Sequence, residues 1–101
     1  MYVRSNVRFD WDPTKARENL RKHGITFEDA RTAFSDDQAI LIPDPDHSGE
    51  EDRFVLIGLS ATLRVLTVVH CYREGDEIVR IVSARRATRS ERAQYGSRWM
   101  K

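Results

Sequence analysis

Three β-prone runs follow one another with almost nothing between them in the second half of this 101-residue chain: Arg53 to Ser60, Arg64 to Arg73 and Glu77 to Ala84. Each is rich in β-branched and other apolar residues, and only Ala61-Thr62-Leu63 and Glu74-Gly75-Asp76 separate them. Runs of this composition joined by turns of this length form an antiparallel meander.

The first half reads mainly as helix. Arg8-Phe9-Asp10-Trp11 is a short strand, after which Asp12 is placed to cap a helix and Pro13 occupies its first turn, where a missing N–H costs nothing. Ala16, Leu20 and the stem of His23 recur at helical spacing, and Gly24 suits a left-handed C-terminal cap, so the helix spans about 13–23. Thr26 caps a second helix with Asp29 three residues on; Phe27, Ala30, Ala33 and Phe34 share one face, and the helix ends by Ser35-Asp36. Ala39 to Ile42 is a small β-prone run, and 43–52, with its prolines, glycine and acids, is a loop. Thr88 and Glu91 make a capping box for a last helix through about Trp99. The expected order is β-α-α-β-β-β-β-α, in one domain spanning 1–101: an α+β fold whose antiparallel sheet carries two N-terminal helices and a C-terminal helix.

With 40% apolar residues and a formal net charge of +1, the chain can bury enough surface to offset the entropy of ordering, which excludes disorder. Nothing recurs at a fixed long period. The longest apolar runs are strand-length, far below the roughly 20 residues that span a bilayer. Met1 to Asn6 lacks an apolar core and a cleavage site, so no secretory signal is expected and the protein is placed in the cytoplasm. The single cysteine, Cys71, builds no disulfide framework and reads as a small buried hydrophobe.

The small net charge conceals a segregation. Residues 1–52 carry 7 basic and 12 acidic side chains; residues 53–101 carry 10 and 4. Arginine outnumbers lysine 14 to 3, and its planar fork grips phosphate through two hydrogen bonds. Such a bias points to nucleic acid or an acidic protein partner.

Several motifs are excluded. Asp44, Asp46, Ser48 and Gly49 imitate the start of a calcium loop, but its last ligand position falls on Val55, where a glutamate is required. His47, His70 and Cys71 lack zinc-site spacing, and no phosphate loop, dinucleotide fingerprint or nucleophile elbow occurs. No cofactor or metal is expected.

What remains is a group around the last two long strands: Arg64, His70, Arg73, Arg80, Arg85 and Arg86, with Arg89 and Tyr95 on the helix that follows. Register decides which of them meet. A three-residue Glu74-Gly75-Asp76 loop sets His70 opposite Arg80 and Arg64 opposite Arg86, whereas a two-residue Gly75-Asp76 turn puts His70 on the face of Ser83 and Arg85. Either way a histidine lies beside arginine within an apolar run. That suits RNA cleavage without metal: a base takes the 2′-hydroxyl proton, positive charge stabilises the pentavalent phosphorane, and the 5′-oxygen leaves with a proton. His70 is the expected proton-transfer group, since its ordinary pKa is about 6.5; Arg85 or Arg86 would stabilise charge and Tyr95 would donate or position. The competing reading is a structural strand histidine and a solvated arginine face.

The residues Phe9-Asp10-Trp11-Asp12-Pro13-x-Lys15-Ala16, Asn19, Lys22-His23-Gly24-Ile25-x-Phe27-Glu28-x-Ala30, Ile57-Gly58 and Ile81 to Thr88, with Glu91 and Tyr95, resemble the BrnT toxin family nearly end to end. The resemblance implies a type II toxin with a RelE/ParE-like fold and ribonuclease activity that stops translation. It also implies neutralisation by a BrnA-type antitoxin in a heterotetramer that meets promoter DNA only through the antitoxin. The positions similar to the RNA-site arginine and tyrosine of RelE-like folds are Arg85 and Tyr95. RelE itself also uses lysines in mid-sheet; here none lies between residues 23 and 100, and Arg64, His70 and Arg80 are the expected substitutes. Arg64, Arg73, Arg80, Arg86 and Arg89 are thus expected to bind RNA phosphates, and His70, Arg85 and Tyr95 to act in catalysis. His23, Trp11, Phe27 and Phe34 read as structural, with Trp99 and Met100 freer. The rival functions are a non-enzymatic ParE-like toxin or binding module, and a degenerate copy that only sequesters antitoxin.

Overall fold

The computed structural model describes residues 7–44, 52–75 and 77–97. Along the chain lie β1 (Arg8–Asp10), α1 (Pro13–His23), α2 (Phe27–Thr32), a 3-10 turn (Ala33–Ser35), β2 (Ile40–Pro43), β3 (Phe54–Leu59), β4 (Val65–Arg73), β5 (Ile78–Arg86) and α3 (Arg89–Ser97). This is the expected α+β order. The calcium-loop residues Asp46, Ser48 and Gly49, together with His47, Asp76, Trp99 and Met100, lie outside the described residues.

The helices begin and end where their caps dictate. Asp12 accepts from the Thr14 N–H at 2.8 Å, Thr26 from the Asp29 N–H at 3.0 Å, and Gly24 closes α1 at φ 71°. The inward face of α1 differs from expectation. Leu20 is 48% exposed, while Asn19 is buried. Asn19 Nδ2 donates to Ile25 O at 2.9 Å and Ala84 O at 2.8 Å, and its Oδ1 accepts from the Ala84 N–H at 3.0 Å. β1 pairs with β5 only as far as Arg80, so Asn19 satisfies an edge of β5 that no strand covers.

The sheet runs in the order β1-β5-β4-β3-β2. The meander and β2 are antiparallel, but β1 joins β5 in parallel, so the sheet is mixed and not wholly antiparallel as expected. A three-residue strand carries no signal of direction; at its centre Phe9 packs edge-on to Phe34, with centroids 5.2 Å apart. One sheet face packs against α1 and α2 through Ile25, Phe27, Phe34, Leu56, Val68 and Ile81, each buried at about 1.5–3 kcal/mol. α3 covers part of the other face, over Val55, Ile57, Ala87 and Tyr95. Gly58 lies where the 3-10 turn crosses β3; a Cβ there would meet Ala33 O at 3.0 Å and the Ala39 Cβ at 3.1 Å.

The register combines neither expected alternative in full. At the strand tips it follows the two-residue-turn pattern, with Arg73 opposite Ile78 and His70 opposite Ile81. A bulge then adds one residue to β5 at Val82, so that Val69 meets Ser83 and Thr67 meets Arg85. Since strand side chains alternate with period two, that extra residue places His70 and Arg85 on opposite faces.

Candidate active site

Beyond the bulge, Arg85 points to the α3 side of the sheet. Its Nη1 and Nη2 donate to Glu91 Oε1 and Oε2 at 2.7 and 3.0 Å. Glu91 Oε1 also accepts from Thr67 Oγ1 and from the Thr88 N–H, both at 2.8 Å, and the Glu91 N–H donates to Thr88 Oγ1 at 3.1 Å. The capping box expected at the head of α3 is therefore formed, and its glutamate is wired to β4 and β5 as well. The hydrogen bond from Arg85 is the chief cause holding the Glu91 carboxyl down at about 2; burial opposes it, and the Thr88 and Thr67 bonds reinforce it. The same pairing raises the Arg85 pKa. At neutral pH the site is an ion pair, its arginine side chain 42% exposed and its glutamate 21%.

A cavity of about 400 Å³ opens beside this pair, lined by Asp44, Arg53, Thr67, Ser83, Arg85 and Glu91 among polar groups and by Ile42, Val55, Val69 and Val82 among apolar ones. A wider groove of about 900 Å³ runs between β1, α2 and the end of β3. Of its polar groups, Arg31 stacks 5.6 Å above Phe9, Asp36 receives Tyr95, and Thr32 accepts from the Ala61 N–H. Phosphate chemistry fits the smaller cavity.

Of the three residues expected in catalysis, the structure brings only Arg85 to this cavity. His70 is fully buried on the opposite face, its ring edge-on to Phe34 at 4.8 Å and to Tyr72 at 5.2 Å. Burial lowers its pKa to about 4, so it is neutral at physiological pH and sealed from substrate. The expectation of His70 as the proton-transfer group is corrected accordingly. Tyr95 lies on the α3 side but is 6% exposed, and its hydroxyl donates to Asp36 Oδ2 at 2.6 Å, which ties α3 to the loop after the 3-10 turn. Burial raises the Asp36 carboxyl, but the bonds from Tyr95 and the Leu59 and Gln38 N–H groups outweigh it and leave the pKa lowered. Tyr95 is thus an anchor and does not line the cavity.

The arginines expected on phosphate are dispersed. Arg64 Nη1 reaches Gly24 O at 3.4 Å, on the α1 side. Arg80 pairs with Asp10 at 3.2 Å, and Arg73 sits at the exposed tip of β4. Arg86, opposite Leu66, and Arg89, at the head of α3, are exposed at the sheet end nearest Arg85. Arg53 was not singled out by its sequence context; the signal available was its even spacing from Val55, which puts both on one face. Glu91 was legible only as a cap. Among the described residues no three histidine, cysteine or acidic side chains converge as a ligand set, and no helix is long and apolar enough to cross a membrane.

The sequence matches, over residues 11–91, the family model described as the ribonuclease toxin BrnT of a type II toxin–antitoxin system. The chain belongs to the BrnT family. The fold agrees: the Brucella abortus ribonuclease toxin BrnT, solved at 1.1 Å, superposes with a TM-score of 0.62 at 26% identity, covering 82% of this chain and 99% of that one. No curated protein matches. This BrnT-family chain is accordingly a ribonuclease toxin, with RNA as substrate and an antitoxin as partner.

Proposed function

We propose that this BrnT-family toxin cleaves RNA without a metal ion, at the cavity beside Arg85. The observation that carries the reading is the guanidinium of Arg85, held half-exposed at that cavity by two bonds to Glu91. The 2′-hydroxyl gives its proton to water and attacks the adjacent phosphorus, and the 5′-oxygen leaves and takes a proton from water, so one P–O bond forms and one breaks, and a 2′,3′-cyclic phosphate and a 5′-hydroxyl result. Negative charge grows on the equatorial oxygens meanwhile, and a fixed guanidinium in a half-dry cavity stabilises it. Arg85 cannot release a proton and Glu91 is a weak base, so this pair contributes charge and orientation. Arg53 on the same cavity, with Arg89 at the head of α3, would hold the flanking backbone.

The toxin acts in the cytoplasm, where it inhibits translation, and a BrnA-type antitoxin neutralises it in a heterotetramer that meets promoter DNA through the antitoxin. Support for this wider reading is the family membership. The test is incubation of purified RNA with antitoxin-free protein in EDTA, beside a folded Arg85→Ala variant. Cleavage by wild type with a loss of about 100-fold or more in the variant is the expected result. Intact RNA with well-folded wild type, with and without ribosomes, would favour a ParE-like binding toxin instead.

A further inference from the structure

The Arg85 guanidinium has five N–H donors, and its hydrogen bonds account for three. One on each Nη goes to Glu91, and the second on Nη1 reaches Arg86 O at 3.3 Å. Among the described residues, the Nε–H and the second Nη2–H have no partner. These two point the same way from one edge of the planar group, so they form a second complete fork of the kind that takes two phosphate oxygens.

We propose that Glu91 is the positioning residue of the site: it grips Arg85 by the end-on edge and so presents the side-on edge, Nε and Nη2, to one RNA phosphate. The inference rests on Arg85 being the charge-stabilising group. A helix cap alone needs only the reciprocal Thr88–Glu91 pair, yet Glu91 Oε1 also takes the Thr67 hydroxyl and Arg85 Nη1. Three elements thereby meet on one carboxylate, and the arginine, otherwise free about four torsions, is held in one orientation. Glu91 also offsets the arginine's charge toward a singly charged phosphodiester. The doubly charged phosphorane gains more from the same aligned fork, so the arrangement favours the transition state over the bound substrate.

The experiment compares RNA cleavage by Glu91→Gln with binding of an uncleavable 2′-deoxy oligonucleotide of the same sequence. Glutamine keeps an oxygen for Thr88, Thr67 and Arg85 Nη1, so α3 stays capped, while the NH2 that replaces Oε2 cannot accept from Arg85 Nη2 and the carboxylate charge is lost. The expected result is a kcat lowered about tenfold or more with KM unchanged or lower, and oligonucleotide affinity unchanged or tighter. Arg85→Lys, which keeps the charge without the fork, should lose a similar factor in kcat. Thr88→Ala, which weakens the cap and leaves the Arg85–Glu91 pair, should lower the melting temperature with kcat within about twofold. A kcat for Glu91→Gln within about twofold of wild type, a fall matched by Thr88→Ala, or a raised KM with kcat unchanged overturns the proposal. If Glu91→Gln does not fold, Thr67→Val serves: a kcat reduced by about threefold or more without a rise in KM supports the proposal, and any smaller reduction overturns it. Full activity in Arg85→Ala would defeat the underlying reading, whereas an inactive Arg85→Ala beside a fully active Glu91→Gln defeats this inference alone.

Discussion

A single buried ring shows how burial decides the role of a residue. Among the described residues His70 has no carboxylate to pair with; its Nδ1–H donates to Val68 O at 3.2 Å and its Nε2 accepts from the Tyr72 hydroxyl at 3.3 Å. Both bonds suit the neutral ring. Since burial sets the folded pKa at about 4 against an ordinary 6.5, the unfolded chain takes up the proton first as pH falls. The stability associated with His70 is therefore complete above pH 6.5 and is lost as pH drops toward 4, by up to about 3 kcal/mol. In His70→Phe, urea unfolding followed between pH 7 and 4 should lack this loss, while RNA cleavage at neutral pH stays within about twofold of wild type. A cleavage defect in a folded His70→Phe would return the residue to the site.

At the scale of elements, two polar side chains tie helices to the sheet. Asn19 joins α1 to β5 through two hydrogen bonds to Ala84 and holds Ile25 O with a third, all buried. Asn19→Ala leaves two carbonyls and an N–H without partners and should cost about 3 kcal/mol, measured by the urea midpoint at unchanged slope. Glu91 joins α3 to β4 and β5. Its carboxyl, held at about 2 against an ordinary 4.5, gives stability that is present above pH 4.5 and lost as pH falls toward 2. With 21% of the side chain exposed, about 2 kcal/mol is a fair magnitude after solvent screening, and Glu91→Gln should abolish that acid-side loss. Caps were legible in sequence because they depend on residues within four positions of one another. The choice of Asn19 over Leu20 as the inward residue was not, because its partner Ala84 is 65 residues away.

Over the whole molecule, the charge segregation read from the sequence takes a definite form. The basic second half supplies β3, β4, β5 and α3, and hence Arg53, Arg85, Arg86 and Arg89, while several of its other arginines are spent on Asp10, on Gly24 O or at a hairpin tip. Few arginines therefore face the cavity, and a modest salt dependence follows. Affinity for an uncleavable oligonucleotide should fall with salt, and Arg53→Gln should reduce the slope by about one while weakening all sequences alike. An unchanged slope would remove Arg53 from the RNA path.

The sequence by itself determined the element order, the helix caps, the apolar face of α2 and the family, since each depends on local pattern or on residues written side by side. Only the tertiary structure decided which side chains share a face. One extra residue at Val82 reverses the alternation between Ile81 and Ser83, and no local pattern announces it, because valine fits a regular strand and a bulge equally well. That single shift turns Arg85 away from the face on which His70 is buried against Phe34 and toward Glu91, so the grouping of histidine with arginine that strand spacing suggested becomes a pairing of arginine with glutamate across the head of α3.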